Sequence, residues 1–240
     1  MYNKNVKRNV CRVKSEDNRG TGFLVSDTQV LTARHCIASG FEKEIILEFL
    51  YNGEKKINLC ATLDDSSDNR IAILNISQPQ KFKHLQIAKM DLKRSYKGET
   101  FGYPEVLKTT GNWIDYKINT VIDNKNDDEL NYSIILEIEP SCRISDFSGL
   151  SGAPLIFDET IVGVITLQST ESNKALVIKA FDLKKCEVYL SKNGLTLPVK
   201  KKKSDEPSKG IHIKNSNKTN LSGNKIKGSI INFGNMDYKE

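Results

Sequence analysis

An all-β fold, sandwich or barrel, is the class that residues 1–198 predict, and the spacing of their apolar runs carries it. Apolar runs of strand length recur through this stretch, and turn-forming residues separate them. The hydrophobic fraction of 38% and mean hydropathy of -0.44 describe a soluble, somewhat polar chain. No apolar run approaches the ~18 residues that a membrane span needs. The 240 residues suffice for one large or two small domains. The strand pattern stops at Pro198, which divides the chain into 1–198, a lysine-rich linker at 199–209 and a polar tail at 210–240.

In chain order, the first candidate strands are residues 22–25 and 30–32. The turn formers Ser26-Asp27-Thr28 join them into a hairpin that ends at His35. Strands at 45–50, 56–63 and 71–76 follow, and a polar, lysine-rich segment at 77–97 then intervenes. Strands resume at 99–102, 114–122, 134–139, 155–157, 161–167 and 176–180. Residues 184–192 read as a closing helix, with Leu183, Cys186, Val188 and Leu190 as an imperfect apolar face.

Charge and cysteine usage bound the setting. Residues 199–240 hold ten lysines and four acids, so this excess of six equals the whole net charge of +6 and residues 1–198 are balanced. Five scattered cysteines without a Cys-x-x-Cys pair point to free thiols in a reducing compartment, and no metal or cofactor is expected. The opening Met1-Tyr2-Asn3-Lys4-Asn5-Val6-Lys7-Arg8 lacks the apolar segment of a secretory signal, so a cytoplasmic location is expected. Lys200-Lys201-Lys202-Lys203 reads as solubilising; no aromatic stacking platform accompanies it, which argues against nucleic acid as a partner.

Chemistry concentrates at two stretches. Gly149-Leu150-Ser151-Gly152-Ala153-Pro154 places a serine on a glycine-flanked turn, before the apolar run Leu155-Ile156-Phe157. Glycine accepts the strained backbone of such a turn, and a serine held on it between core strands suits nucleophilic catalysis. The second stretch, Thr32-Ala33-Arg34-His35-Cys36, ends the first hairpin on a histidine.

Together these stretches resemble the chymotrypsin/trypsin-like serine peptidase family. Its members carry Thr-Ala-x-His-Cys around the general base and Gly-Asp-Ser-Gly-Gly-Pro around the nucleophile. Histidine before serine is also the family's order, unlike that of α/β-hydrolases. The resemblance implies two six-stranded antiparallel barrels, roughly 1–80 and 95–198, with His35 on the first and Ser151 on the second. It implies an endopeptidase acting on polypeptide substrates. Ser151 attacks the carbonyl, His35 carries the proton, and the backbone N–H groups of Gly149 and Ser151 receive the oxyanion. Such donors contribute on the order of 2.7–4 kcal/mol each.

The third catalytic member is less direct. The family's aspartate stands immediately before an Ile-Ala-x-Leu strand; Ile71-Ala72-Ile73-Leu74 matches, yet Arg70 fills the aspartate's place. Asp68, two residues earlier and on the same face of an extended strand, is the candidate; Asp64 and Asp65 are more distant. The alternative is that these acids belong to a solvated loop and the chain is a weak or inactive pseudoprotease that binds peptides or acts as a scaffold.

Three further departures matter. Leu150 replaces the aspartate that pairs with a new N-terminus in secreted members, so activation by trimming is not expected. Gly20 stands where those members carry the cysteine bridged to the one after the histidine, so Cys36 is left free. The resemblance puts the floor of the primary pocket at Ser145, with Asp146 beside it, and its wall at Thr166-Leu167-Gln168. Gln168 replaces a common glycine, and the wall's backbone should pair with substrate as an added strand.

The tail carries its own signal. Residues 224–235 alternate polar and apolar positions without proline, a pattern that stacks in register as parallel strands. Ile231-Asn232-Phe233-Gly234, followed by Asn235-Met236, resembles the core of the RIP homotypic interaction motif and related microbial amyloid signalling motifs. The resemblance implies self-association through 224–238, or recruitment to a sensor NTPase in antiviral defence. A disordered, lysine-solubilised tail is the other reading.

Overall fold

The computed structural model describes residues 4–37, 44–51, 55–64, 68–80, 84–122, 132–139, 142, 144, 146–169 and 177–201. The chain divides into units 1–202 and 203–240, and the second lies outside the described residues. The tail motif, Asp65 and Ser145 therefore lie outside them too.

The first barrel comprises β1 (Val10–Ser15), β2 (Asn18–Leu24), β3 (Gln29–Ala33), β4 (Ile45–Tyr51), β5 (Lys55–Leu63) and β6 (Ile71–Ile76), closed in the order β1-β2-β3-β6-β5-β4. Its interior is filled by Val13, Leu24, Val30, Leu47, Phe49, Leu59 and Leu74. The strand β1 escapes the sequence pattern because Arg12 and Lys14 interrupt its apolar run. Both pair across the sheet with Glu48 of β4, with Arg12 Nη1 2.8 Å from Oε2.

β7 (Gln86–Ile87) leads into the second barrel: β8 (Lys97–Gly102), β9 (Asn112–Val121), β10 (Ile134–Ile138), β11 (Pro154–Phe157), β12 (Thr160–Ser169) and β13 (Val177–Asp182). The order β11-β8-β9-β10-β13-β12 closes through pairing of β11 with β12, and β7 adds a short parallel pair to β12. Two closed six-stranded antiparallel barrels are thus the architecture, as expected. Ile114, Tyr116, Ile118, Leu136, Leu155 and Ile178 pack inside the second.

A third apolar cluster lies between the barrels, joining Phe23, Leu31 and Ile73 to Phe101, Val164 and Phe181. The helix α1 (Lys4–Asn9) drives Val6 into it. At the other end, Asp182 Oδ1 accepts from Lys184 N at 2.8 Å and starts a 3₁₀ turn, Leu183–Cys186, which runs into α2 (Glu187–Lys192). The apolar face predicted here needs one correction. Val188 is 72% exposed, whereas Tyr189 turns inward and its hydroxyl accepts from Ile73 N at 3.1 Å. A tyrosine serves this amphipathic position because its ring fills the inter-barrel core while its oxygen satisfies an N–H within β6. Among the described residues, no helix is long and apolar enough to cross a membrane.

Candidate active site

Strand register places the histidine. Pairing of Ala33 with Ile71 sets the end of β3 beside the start of β6. The chain then turns through a 3₁₀ segment, Arg34–Cys36, with Arg34 N bonded to Arg70 O at 2.9 Å and Ile37 N to Arg34 O at 3.1 Å. His35 sits in the middle of that turn with part of its surface open to solvent. The protein packed around it lowers its pKa below the ordinary value of 6.5, because burial disfavours the charged ring. Among the described residues, its ring makes no hydrogen bond.

The serine turn continues the edge of β11 and is held against both barrels. Gly152 N bonds Ile165 O at 2.7 Å and Ile165 N bonds Ala153 O at 2.9 Å, extending the β11–β12 ladder back to the turn. Gly149 and Gly152 have φ of 88 and 87°, in the left-handed region. At Gly152 space as well as torsion demands glycine: a Cβ there would stand 1.9 Å from Thr21 O and 2.3 Å from Thr32 Oγ1. The first barrel thus presses directly on the serine turn.

Thr21 is the point of contact, a role that nothing in the Gly20-Thr21-Gly22 pattern signalled. It is fully buried, and each of its polar groups is used. Its N–H donates to Ser151 O at 2.8 Å and its hydroxyl to Gly149 O at 2.8 Å. The same hydroxyl accepts from Tyr103 N at 3.1 Å, and Thr21 O accepts from Thr32 Oγ1 at 2.7 Å. Cys36 closes the group: its thiol, pushed up to about 12 by burial, lies 3.4 Å from Ser151 O. A Cβ on Gly20 would stand 2.8 Å from Cys36 Cβ, nearer than the ~3.5–4.5 Å of a disulfide. Cys36 is free, and the backbone has closed into the space a bridge would occupy.

The hydrogen bonding of the turn leaves a specific remainder. Along residues 148–153, Ser148 N donates to Asp146 Oδ1, Leu150 N to Phe147 O, Gly152 N to Ile165 O and Ala153 N to Leu150 O. Among the described residues, the N–H groups of Gly149 and Ser151 have no acceptor. Two donors left without an acceptor beside a serine hydroxyl are available to a ligand's oxygen. The Ser151 hydroxyl itself donates to Thr166 O at 3.2 Å, not to His35.

The remaining candidates fall as follows. Asp68 is no solvated loop acid: its side chain is 6% exposed. Its Oδ1 accepts from Arg70 N at 2.8 Å and Ile71 N at 3.1 Å, and its Oδ2 lies 3.1 Å from Arg70 Nη2 and 3.8 Å from the Cys186 thiol. The Arg70 guanidinium in turn stacks on Phe181 at 4.4 Å, bridging to the second barrel. Asp64 N extends the β-ladder to Ile73 O. Asp146 Oδ1 organises the entry to the serine turn, taking Ser148 N at 2.9 Å and Ser148 Oγ at 2.6 Å. Thr166, Leu167 and Gln168 lie on β12, paired to β13 on one side. Among the described residues no strand pairs with their other edge, since β11 stops at the Pro154–Val164 pair. No group of three or more His, Cys, Asp or Glu side chains gathers there to hold a metal ion, again among the described residues.

A double barrel with a histidine turn on one half and a braced serine turn on the other defines a class of hydrolase scaffold. Comparison gives the family: residues 20–164, more than half of the chain, match the trypsin-like peptidase domain, and the chain belongs to that family of peptidases. Solved proteases share the fold. The Rv3671c protease in its inactive form gives a TM-score of 0.57 at 23% identity, over 79% of this chain and 90% of that one. Its active form from M. tuberculosis gives 0.59 at 20% identity, over 81% and 85%. Deg5 gives 0.60 at 15% identity, over 78% and 90%. At these identities the likeness carries the fold alone. No curated protein matches the chain in sequence.

Proposed function

We propose that this peptidase is a serine endopeptidase in which Ser151 is the nucleophile and His35 the general base. One observation carries the reading: of six successive N–H groups around the serine, those of Gly149 and Ser151 alone lack an acceptor among the described residues. The Ser151 oxygen bonds to the substrate carbonyl carbon while its proton passes to His35, and the carbonyl oxygen takes up the negative charge between the two N–H groups. The C–N bond then breaks, His35 returns the proton to the leaving amine, and water releases the acyl group by the reverse sequence. Substrate lies along the open edge of Thr166-Leu167-Gln168 as an added strand. Asp68 is the carboxylate we assign to support His35, at the expense of its bonds to Arg70.

A fluorophosphonate probe tests this. Wild type should be labelled and should cleave casein, and Ser151→Ala should do neither; an unlabelled, inactive wild type would overturn the assignment. That outcome is the one expected of a peptide-binding pseudoprotease, the second reading, which the capture of Asp68 by Arg70 favours.

The five free cysteines support a reducing, cytoplasmic setting. Recruitment through 224–238 in a defence system rests on the sequence Ile231-Asn232-Phe233-Gly234. A peptide spanning 210–240 should form thioflavin-positive fibrils that Ile231→Asp or Phe233→Asp prevents, and a peptide that stays monomeric would remove that role.

A further inference from the structure

We infer that the backbone N–H of Glu105, held in place through Thr21, is the lock that aims the Gly149 N–H into the site. The inference rests on the serine peptidase reading above. In a trans peptide the carbonyl and the N–H point in opposite directions, so fixing one aims the other. No cis peptide occurs among the described residues. The Gly149 N–H belongs to the peptide whose carbonyl is Ser148 O. The neighbouring carbonyls are anchored elsewhere: Phe147 O by Leu150 N, Leu150 O by Ala153 N, and those of Gly149 and Ser151 by Thr21. Ser148 O is held by Glu105 N, at 2.7 Å.

That peptide is also the one in the turn most able to rotate. Flipping it changes ψ at Ser148 and φ at Gly149, and glycine accepts either sign of φ at little steric cost. A flip would withdraw one anion donor and put a carbonyl oxygen in its place. One hydrogen bond from outside the turn therefore decides whether the site has two donors or one. The residues supplying it are themselves positioned: Tyr103 N is tied to the Thr21 hydroxyl at 3.1 Å, and Tyr103 O packs against Gly149, where a Cβ would be 2.8 Å away. Glu105 opens an exposed 3₁₀ turn, Glu105–Leu107, so its side chain is dispensable while its N–H is not.

Proline at 105 deletes this N–H and sets its ring against Ser148 O, which turns that carbonyl out of its anchored position. Pro104 has φ of -57 and ψ of 146°, the conformation a residue before proline adopts, and Glu105 occupies the first position of its turn, where proline is tolerated. Glu105→Pro should lower kcat on fluorescently quenched casein on the order of 10²-fold, the loss expected for one missing oxyanion donor, with KM close to wild type; its ring Cδ, standing where the amide hydrogen was, also pushes on Ser148 O, so Tm should fall. Affinity for a peptide aldehyde, whose hemiacetal oxygen occupies the anion position, should fall in parallel. Glu105→Ala, which keeps the N–H, should match wild type. Wild-type kcat and aldehyde affinity in Glu105→Pro would overturn the lock. If the proline variant fails to fold, Thr21→Val and Thr21→Ser replace it. Val removes the hydroxyl that ties Tyr103 and Gly149 and should lower kcat with KM preserved, and Ser should restore it; equal kcat in Val and wild type would also overturn the proposal. A wild type that is itself inactive and unlabelled fails the peptidase reading instead, so the two failures are told apart.

Discussion

The serine turn and the aspartate corner both join one barrel to the other, yet they are built to different degrees. At the serine turn every carbonyl from Phe147 to Ser151 is anchored, and the N–H groups of Gly149 and Ser151 are left without an acceptor among the described residues. At the aspartate corner the reverse holds: Asp68 is saturated by Arg70 and two backbone donors, while the His35 ring is left without a partner among the described residues. In the proposed mechanism, anion stabilisation is therefore preorganised and proton transfer is not. The contrast follows from the sequence, because an arginine at position 70 supplies a charged partner two residues from the acid, nearer than any histidine.

The strongest test of the serine turn is steric. Gly152→Ala should leave no measurable activity and cost at least about 3 kcal/mol of stability, since it adds a left-handed alanine to a contact with Thr21 O and Thr32. Soluble, active Gly152→Ala by thermal melt and casein assay would show that the turn is not braced as described. Gly194→Ala is the control: φ is also positive, at 76°, but nothing lies within 4 Å, so the cost should be about 1 kcal/mol with activity intact.

Asp68→Asn sharpens the other side. Removing the charge weakens the bonds that Asp68 accepts from Arg70 N, Ile71 N and the Arg70 guanidinium, so unfolding should become easier by about 1–3 kcal/mol. Turnover measured well below the variant's melting temperature should still fall by about 10²-fold or more, up to ~10⁴. A stability loss with unchanged turnover would make Asp68 a strut between barrels and leave a serine–histidine pair.

A smaller effect lies in the pH profile. In the proposed mechanism the neutral ring of His35 is the base, and burial lowers its pKa, so kcat/KM should decline only below the ordinary histidine value of 6.5. The sign for stability agrees: between the lowered value and 6.5 the unfolded histidine binds a proton that the folded one does not, so stability rises with pH across that window. An inflection above 6.5 in the free enzyme would mean that a carboxylate already reaches the ring.

Much of this was legible in the chain. The hairpin ending at His35, the strand Ile71–Ile76 and the glycines of the serine turn follow from local patterns, because period and turn chemistry act over a few residues. What escaped depends on partners distant in sequence. Arg12 and Lys14 mask β1 until Glu48 is seen opposite them. Thr21 reads as one more strand residue until its contacts 128 residues away are drawn. The burial of Asp68 could not be foreseen from a polar run, since Cys186, which packs against it, arrives over a hundred residues later.

The central claim is that Ser151 attacks beside an anion site made of two backbone N–H groups. A crystal structure of the fluorophosphonate adduct tests it most directly. The account predicts a covalent bond from Ser151 Oγ to phosphorus, with the phosphoryl oxygen about 2.7–3.1 Å from both Gly149 N and Ser151 N. An adduct on another residue, or a phosphoryl oxygen directed away from those two nitrogens, would contradict it.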